Sequence, residues 1–396
     1  MVSQASFDKR CMRRVLSEAR RGHPSPNPHV GAMVVREGVV LSLGHHERAG
    51  EAHAEVVALR GAGEAARGAT LYVSFEPCNH YGRTPPCTEA ILKAGIARVV
   101  IGCRDPAPHV PGAMERLRDA GLEVVVGVLQ EEAEALIAGF YKHHTRGLPQ
   151  VTLKAAATLD GSLALRSGHS KWITGEAARK YAHQMRARSD ALLVGIGTVL
   201  ADDPQLTVRA LRGRNPLRVV LDSALRLPLD AALVQSAAEV PTLVFHAVDA
   251  DPEKITALKA RGLQCQGVSE APGEGLLLSE VLKELGRRNV VELLVEGGAK
   301  VHGAFLRQRL ADRLALFLAP TIFGDAVAPR WAEVGECLEM SRAFRVSQTR
   351  WRRLGPDLLL EGGLQDETAG ASVGACSPES SKTSEAYATS SPAKAG

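Results

Sequence analysis

EPCNHYGRTPPC, residues 76–87, places Cys78 and Cys87 on either side of an eight-residue polar loop that ends in two prolines. Pro85 and Pro86 fix backbone angles and stiffen the delivery of Cys87. Two thiolates that hold zinc need at least one further protein ligand, and a catalytic zinc keeps its fourth position for water. HAEVVAL, residues 53–59, supplies the upstream candidate: His53 and Glu55 stand where a helix begins, just after the Gly50 turn. A neutral His53 imidazole binds the metal, and the Glu55 carboxylate moves protons without ligating. This H-x-E…P-C…C order is that of zinc deaminases, in which the metal activates water for attack on an amidine carbon. The shorter form of the pattern closes with C-x-x-C, so eight intervening residues exclude ordinary cytidine deaminase spacing. The competing reading, two partly buried thiols and a surface histidine, requires all four positions to coincide by chance.

The flanks of this loop alternate strand and helix. HVGAMVVREGVVLSL (29–43) reads as a hairpin turning at Glu37-Gly38, and ATLYVSF, ARVVIGC and LEVVVGVL read as strands with helices between them. EEAEALIAGFYKHH closes the region as an amphipathic helix. Such alternation predicts an α/β layered sheet over residues 1–147. A helix stop and a proline in KHHTRGLPQ mark a boundary. The alternation restarts at Val151: VTLKAAA, ALLVGI, LRVVLD, PTLVFHA and VVELLVE are strands, while EAARKYAHQMRAR and LSEVLKELGRR are helices. This second unit spans 151–364. From Gln365 to Gly396 the chain has almost no large apolar side chain, and a disordered tail is expected. No internal repeat is present.

A length of 396 residues favours two domains. The formal net charge is +4 with Lys and Arg scattered, whereas a nucleic-acid binder clusters them. The N-terminus shows helical spacing at Phe7, Cys11, Val15 and Ala19 instead of the apolar core of a signal peptide. No run approaches the roughly 18 apolar residues of a membrane span. Seven cysteines, odd in number and sparse, argue against a disulfide framework and for a reducing cytoplasm.

Three segments of the second unit carry candidate binding groups. KAAATLDGSLALRSGHSKWITG (154–175) breaks at Asp160-Gly161 and continues with small and polar residues around Trp172. LLVGIGTVLADDPQLTVR (192–209) runs from a strand into a loop with Asp202 and Asp203, which either cap and turn the chain or line a site. ELLVEGGAKVHGAFL (292–306) passes through Gly297-Gly298 into a helix. That glycine pair is either a tight turn or a place where backbone N–H groups approach a phosphate. Gly195-Ile196-Gly197 lacks the third glycine of a dinucleotide fingerprint, because Leu200 stands there. The residues alone define a phosphate- or nucleotide-binding α/β unit.

PNPHVGAMVV, GHHERAGEAHAEVVAL and EPCNHYGRTPPC, together with the three later segments, resemble the bifunctional deaminase–reductase family of bacterial riboflavin biosynthesis. The resemblance covers roughly residues 1–363, and the eight-residue spacing is that family's own. It implies a cytidine-deaminase-like three-layer α/β/α domain followed by a dihydrofolate-reductase-like α/β domain. It also implies zinc held by His53, Cys78 and Cys87, Glu55 as proton carrier, and substrate contacts at Asn27, His46 and Arg83. In the second domain it implies an NADPH site at Ala156, Trp172, Thr198, Asp202, Ser223 and Gly298. The reductase substrate would meet Ser170, Arg186, Leu206, Arg209 and Glu296. Arg83 and His80, like Arg186 and Arg209, suit a phosphorylated ligand. Asn79 and His45 depart from the commoner family residues, a serine and an aromatic. The expected partners are a small phosphoribosylated pyrimidine and further copies of the chain, without nucleic acid or membrane. Two rival functions are a nucleic-acid base deaminase and a non-catalytic metal- and nucleotide-binding protein.

Overall fold

The computed structural model describes residues 3–82, 84–106, 112–209 and 213–364. Arg83 and the tail 365–396, on which two of the expectations fall, lie outside the described residues.

Two sheets, each with its own apolar core, organise the chain. The first is built from α1 (Gln4–Ala19), β1 (Gly31–Arg36), β2 (Val39–His45), α2 (Ala54–Ala62), β3 (Thr70–Phe75), α3 (Cys87–Lys93), β4 (Arg98–Cys103), α4 (Ala113–Asp119), β5 (Glu123–Val126) and α5 (Gln130–Arg146). Its strand order is β2-β1-β3-β4-β5, antiparallel at β2-β1-β3 and parallel from β3 to β5. Glu37 and Gly38 turn the hairpin with φ of 51° and 80°, the left-handed pair whose twist matches the flanking strands. Helices cover both faces. Gly31 lies against Val15 and Ala19 of α1, and Gly102 against Ala133 of α5. Gly44, paired to Ala32 on the opposite face, lies against α2, where a Cβ would come within 2.5 Å of the Ala54 carbonyl oxygen. That close approach seats the start of α2, and with it His53 and Glu55.

One buried polar cluster ties this sheet to α1. Asp8 accepts from Tyr72 Oη at 2.7 Å and from both terminal nitrogens of Arg98 at 3.1 and 2.9 Å. Burial alone would raise the Asp8 carboxyl, but hydrogen bonds from Arg98, Tyr72 and Gln4 outweigh it and hold the group below its usual value of 3.8. A depressed carboxyl contributes stability above its unfolded pKa and loses it as pH falls through the folded value. Asp8→Asn is therefore expected to lower the melting midpoint at neutral pH, by about 1–3 kcal/mol of stability, and to narrow its gap to wild type below about pH 4. Thermal melts of both proteins across acid pH check this; a constant gap contradicts it.

The second sheet uses β6 (Gln150–Thr158), α6 (Glu176–Arg188), β7 (Ala191–Gly195), α7 (Ile196–Asp202), β8 (Leu217–Leu221), α8 (Ala232–Gln235), β9 (Thr242–Ala247), α9 (Pro252–Ala260) and β10 (Gln264–Val268). A small ladder of β11 (Glu270–Ala271) and β12 (Gly275–Leu276) stands apart from it. The chain continues through α10 (Leu278–Arg287), β13 (Glu292–Val295), α11 (Ala299–Arg307), β14 (Arg313–Ala319), β15 (Ser347–Leu354) and β16 (Asp357–Gly363). The strand order is β10-β9-β8-β7-β13-β6-β14-β16-β15, parallel from β10 to β14 and antiparallel at β14-β16-β15. β13 returns to the centre between β7 and β6, so the carboxyl ends of those three strands adjoin. In open parallel sheets that is where ligands bind.

Between the sheets α5 ends at Gly147, which has a φ of 66°, and Leu148-Pro149 leads into β6. Lys142 Nζ meets Asp312 Oδ2 at 2.6 Å, and Ser25 Oγ donates to Asp190 Oδ2 at 3.0 Å. His143 Nε2 donates to the Gly286 carbonyl at 3.0 Å. The described cysteines are all free thiols, and no described helix is long and apolar enough to cross a membrane.

Candidate functional site

The first cavity, about 590 Å³, opens at the carboxyl end of β3. His53 is the N-cap of α2, so its ring projects where that helix begins, and Glu55 lies in the first turn. Pro86 delivers Cys87 as the first residue of α3. The ligand atoms of His53, Cys78 and Cys87 lie within 4.8 Å of one another. His53 Nδ1 stands 3.2 Å from Cys87 Sγ and 3.5 Å from Cys78 Sγ. Zinc–ligand bonds of about 2.0–2.1 Å to nitrogen and about 2.3 Å to sulfur give separations of this order around one ion. One imidazole and two thiols form a zinc donor set with a fourth tetrahedral position left over, so the residues fit the metal. With Nδ1 turned to the sulfurs, Nε2–H donates to Thr84 Oγ1 at 3.4 Å and fixes the tautomer.

Local electrostatics favour a thiolate here. The Cys87 backbone N–H donates to Cys78 Sγ at 3.3 Å. Hydrogen bonds from the Cys87 thiol and, against the effect of burial, from His53 pull Cys78 down to about 4. Cys87, facing that thiolate, is pushed up. Glu55 is 3% exposed, and burial raises its carboxyl to about 7. A carboxyl at that value both takes and gives a proton at neutral pH.

Asn27 and His46 share the cavity with them. His46 Nδ1 donates to the Ala52 carbonyl at 3.2 Å, so Nε2 accepts from Asn27 Nδ2 at 3.0 Å. Burial lowers the His46 pKa and keeps this ring neutral. Its ring meets that of His53 edge-on at 5.2 Å. His80 also lines the cavity. The departures Asn79 and His45 bind protein. Asn79 Oδ1 accepts from Thr88 and Arg116 at 2.9 and 2.8 Å, and His45 bridges Glu18 and Glu47 at 2.8 and 2.7 Å.

A second cavity, about 580 Å³, lies at the carboxyl ends of β6, β7 and β13. Ala156, Ser170, Trp172, Arg186, Thr198, Asp202, Arg209, Glu296 and Gly298 all border it. Leu206 and Ser223 do not. Leu206 is buried in the loop after α7, and Ser223 follows β8, where its carbonyl accepts from Ala247. The two open readings of this region divide by residue. Asp203 Oδ1 caps the Ala232 N–H at 2.8 Å, while Asp202 faces the cavity. A Cβ on Gly297 would come within 2.7 Å of Val301 Cβ, so packing requires that glycine. A Cβ on Gly298 would meet only Thr198 Oγ1, at 3.7 Å, and would stand over the open N-terminus of α11. This cradle suits the phosphates of a dinucleotide such as NADPH.

Arg186 does not wait as a free anion receiver. Its Nε and Nη2 clamp Glu296 at 2.8 Å each, across 110 residues of sequence, and Nη1 donates to the Thr207 carbonyl at 3.2 Å. Lys154 Nζ adds a contact to Glu296 at 3.6 Å. Burial would raise Glu296, but Arg186 and Lys154 dominate and hold it far below the usual carboxylate range. Arg209 is exposed and, among the described residues, its side chain is hydrogen-bonded to Gln205 at 3.1 Å, which leaves it the freer cation of the two. Sequence reasoning missed Lys154, His183 and His302, which also border this cavity. A lysine inside the apolar run VTLKAAA was the available signal, since lysine is almost never buried unpaired.

Comparison with known proteins places both halves. Residues 5–103 match the family model described as the cytidine and deoxycytidylate deaminase zinc-binding region. Residues 149–360 match the RibD C-terminal domain. The riboflavin biosynthesis protein RibD of Aquifex aeolicus is 44% identical over 360 residues, 89% of this chain and 98% of that protein. The Escherichia coli protein of the same name is 40% identical over 374 residues, again 89% of this chain and 98% of its own. Acinetobacter baumannii RibD superposes with a TM-score of 0.76 at 36% identity, covering 92% of this chain and 100% of that one. A Thermotoga maritima diaminohydroxyphosphoribosylaminopyrimidine deaminase/5-amino-6-(5-phosphoribosylamino)uracil reductase gives 0.78 at 35% identity, with 92% and 100% coverage. The folds are those the sequence led us to expect, a cytidine-deaminase-like domain followed by a dihydrofolate-reductase-like one. On this similarity across almost the whole described chain, the protein belongs to the RibD family.

Proposed function

We propose that the protein carries out two consecutive steps of riboflavin biosynthesis. The first is hydrolytic deamination of 2,5-diamino-6-(5-phosphoribosylamino)pyrimidin-4-one. The second is NADPH-dependent reduction of the ribosyl group of 5-amino-6-(5-phosphoribosylamino)uracil to ribityl. Residues 1–147 are assigned the first step and 151–364 the second. The observation that carries the reading is the His53, Cys78 and Cys87 cluster beside buried Glu55, with His53, Cys78 and Glu55 lining one cavity and Cys87 buried behind them.

His53, Cys78 and Cys87 would hold zinc, which would supply Lewis acidity toward a water nucleophile at neutral pH. Glu55 is placed to take up a proton at its carboxylate and to give one to the departing amine. Asn27, its amide N–H committed to His46, offers its carbonyl oxygen to the pyrimidine edge. NADPH supplies the hydride of the second step. There Gly298, Thr198 and the start of α11 hold the dinucleotide, and the Arg186–Glu296 clamp shapes the floor of the substrate site. Arg209 receives the phosphate. Lys154 places an ammonium beside Glu296, a proton donor for the oxygen that gains charge.

The substrate is a small molecule, and cytoplasmic action fits the free thiols. Self-association is our proposal for the assembly, through the open edge strand β15 with its Trp351 60% exposed. A monomer in sedimentation at working concentration contradicts it. The experiment for the first step is ammonia release from the diaminopyrimidine. Chelation is expected to reduce it to background, and added zinc to restore it. Full activity in protein shown to be free of metal contradicts the assignment.

A further inference from the structure

We propose that Asn289, a residue of the second domain, is a specificity residue of the first cavity that reads the ribosyl hydroxyls of the substrate. The inference rests on the deamination reading above. The cavity, about 590 Å³, has the size of a site for a whole small-molecule ligand, more than a pyrimidine ring fills. His53, Cys78, Glu55, Asn27 and His46 serve the ring. Phe140 and His144 of α5 and Asn289 form one part of the remaining wall. Phe140 and His144 stack with centroids 5.7 Å apart and planes at 22°.

Asn289 is held at this wall by the same helix. It sits in the turn that leaves α10 with a φ of 61°, and its N–H donates to the Gly286 carbonyl at 2.9 Å. That carbonyl also accepts from His143 of α5, and Gly286, lacking a side chain, packs directly on the Gly147 carbonyl. The turn therefore cannot move without α5. Asparagine is among the few residues that take a left-handed conformation readily. Glycine does so too, so the backbone alone does not call for an amide. The residue is exposed and borders the cavity, and its side chain carries one donor group and one acceptor. Glu51, Glu76 and Asp105 border the same space, and this acidic company disfavours a phosphate there and suits hydroxyl groups.

Asn289→Gly tests the proposal, because it deletes the amide and keeps the backbone conformation. In the full-length, zinc-loaded protein the KM for deamination of the phosphoribosylated substrate is expected to rise about threefold to tenfold, with kcat within about twofold. Zinc content, reduction of the uracil substrate and the KM for the ring without its phosphoribosyl arm are expected to stay unchanged. A deamination KM equal to that of wild type overturns the inference. So does an equal rise for the armless ring, or a joint fall of kcat and melting temperature, which marks a structural role. Failure of wild type itself to release ammonia removes the deamination reading instead.

Discussion

Glu55→Gln is expected to lower ammonia release by about two to four orders of magnitude, the usual contribution of a positioned acid–base group. The substitution keeps the shape of a side chain that is 3% exposed in the first turn of α2. It removes the ability to exchange a proton and the charge of the ionised form, and turns one acceptor oxygen into an amide donor. His53, Cys78 and Cys87 remain, so zinc content measured by elemental analysis is expected to match wild type. Reduction of the separately supplied uracil substrate is also expected to be intact, since no residue bordering the second cavity changes. Residual deamination above about a tenth of wild type contradicts the role of Glu55. Lost zinc would mean that the carboxylate supports the metal rather than the proton.

The largest loss of stability is expected from Arg218. This β8 residue is fully buried, and burial lowers its guanidinium to about 10. Hydrogen bonds to neutral groups hold the charge in place. Nε donates to Thr242 Oγ1 at 2.9 Å, and Nη1 to Ser236 Oγ and the Gln205 carbonyl at 2.8 and 3.1 Å. Nη2 reaches the carbonyls of Leu233, Ser236 and Val240 at 2.9, 3.2 and 2.7 Å. Arg218→Met keeps much of the volume but strands these acceptors out of water, at about 1–3 kcal/mol for each that finds no other donor. The expected total is on the order of 3–5 kcal/mol. For a domain of this size that lowers the melting midpoint by roughly 6–20 °C. Because Gln205 lies in the loop between Asp202 and Arg209, the same variant is expected to weaken reductase substrate binding more than deamination. A midpoint within about 2 °C of wild type contradicts the account.

The metal site was legible because its chemistry is local. His53 and Glu55 share one helix start, and Cys78 and Cys87 share one loop. Short-range patterns of this kind survive without knowledge of the fold. The hairpin at Glu37-Gly38 was legible for the same reason. Strands β6, β7, β8, β9 and β13 were also read correctly, although Ile196 of ALLVGI already begins α7. The second cavity was not legible from the residues alone. Its floor joins Lys154, Arg186 and Glu296 from β6, α6 and the end of β13, and only the return of β13 between β6 and β7 brings them together. Resemblance supplied Arg186 and Glu296 but not Lys154, and it pointed to Leu206 and Ser223, which stand off the cavity. The antiparallel edge went unread as well. β15, SQTRWRRL, is charged and exposed along almost its whole length and carries no alternation that marks an inner face.

The most direct test of two sites working in series is NADPH consumption by the zinc-loaded protein when the diaminopyrimidine is its only substrate. Wild type is predicted to consume NADPH after a lag in which ammonia appears. Glu55→Gln is predicted to consume none until the deaminated uracil is supplied. NADPH consumption by Glu55→Gln at the wild-type rate from the diamino compound, or ammonia release by wild type with no NADPH consumption, would contradict the account.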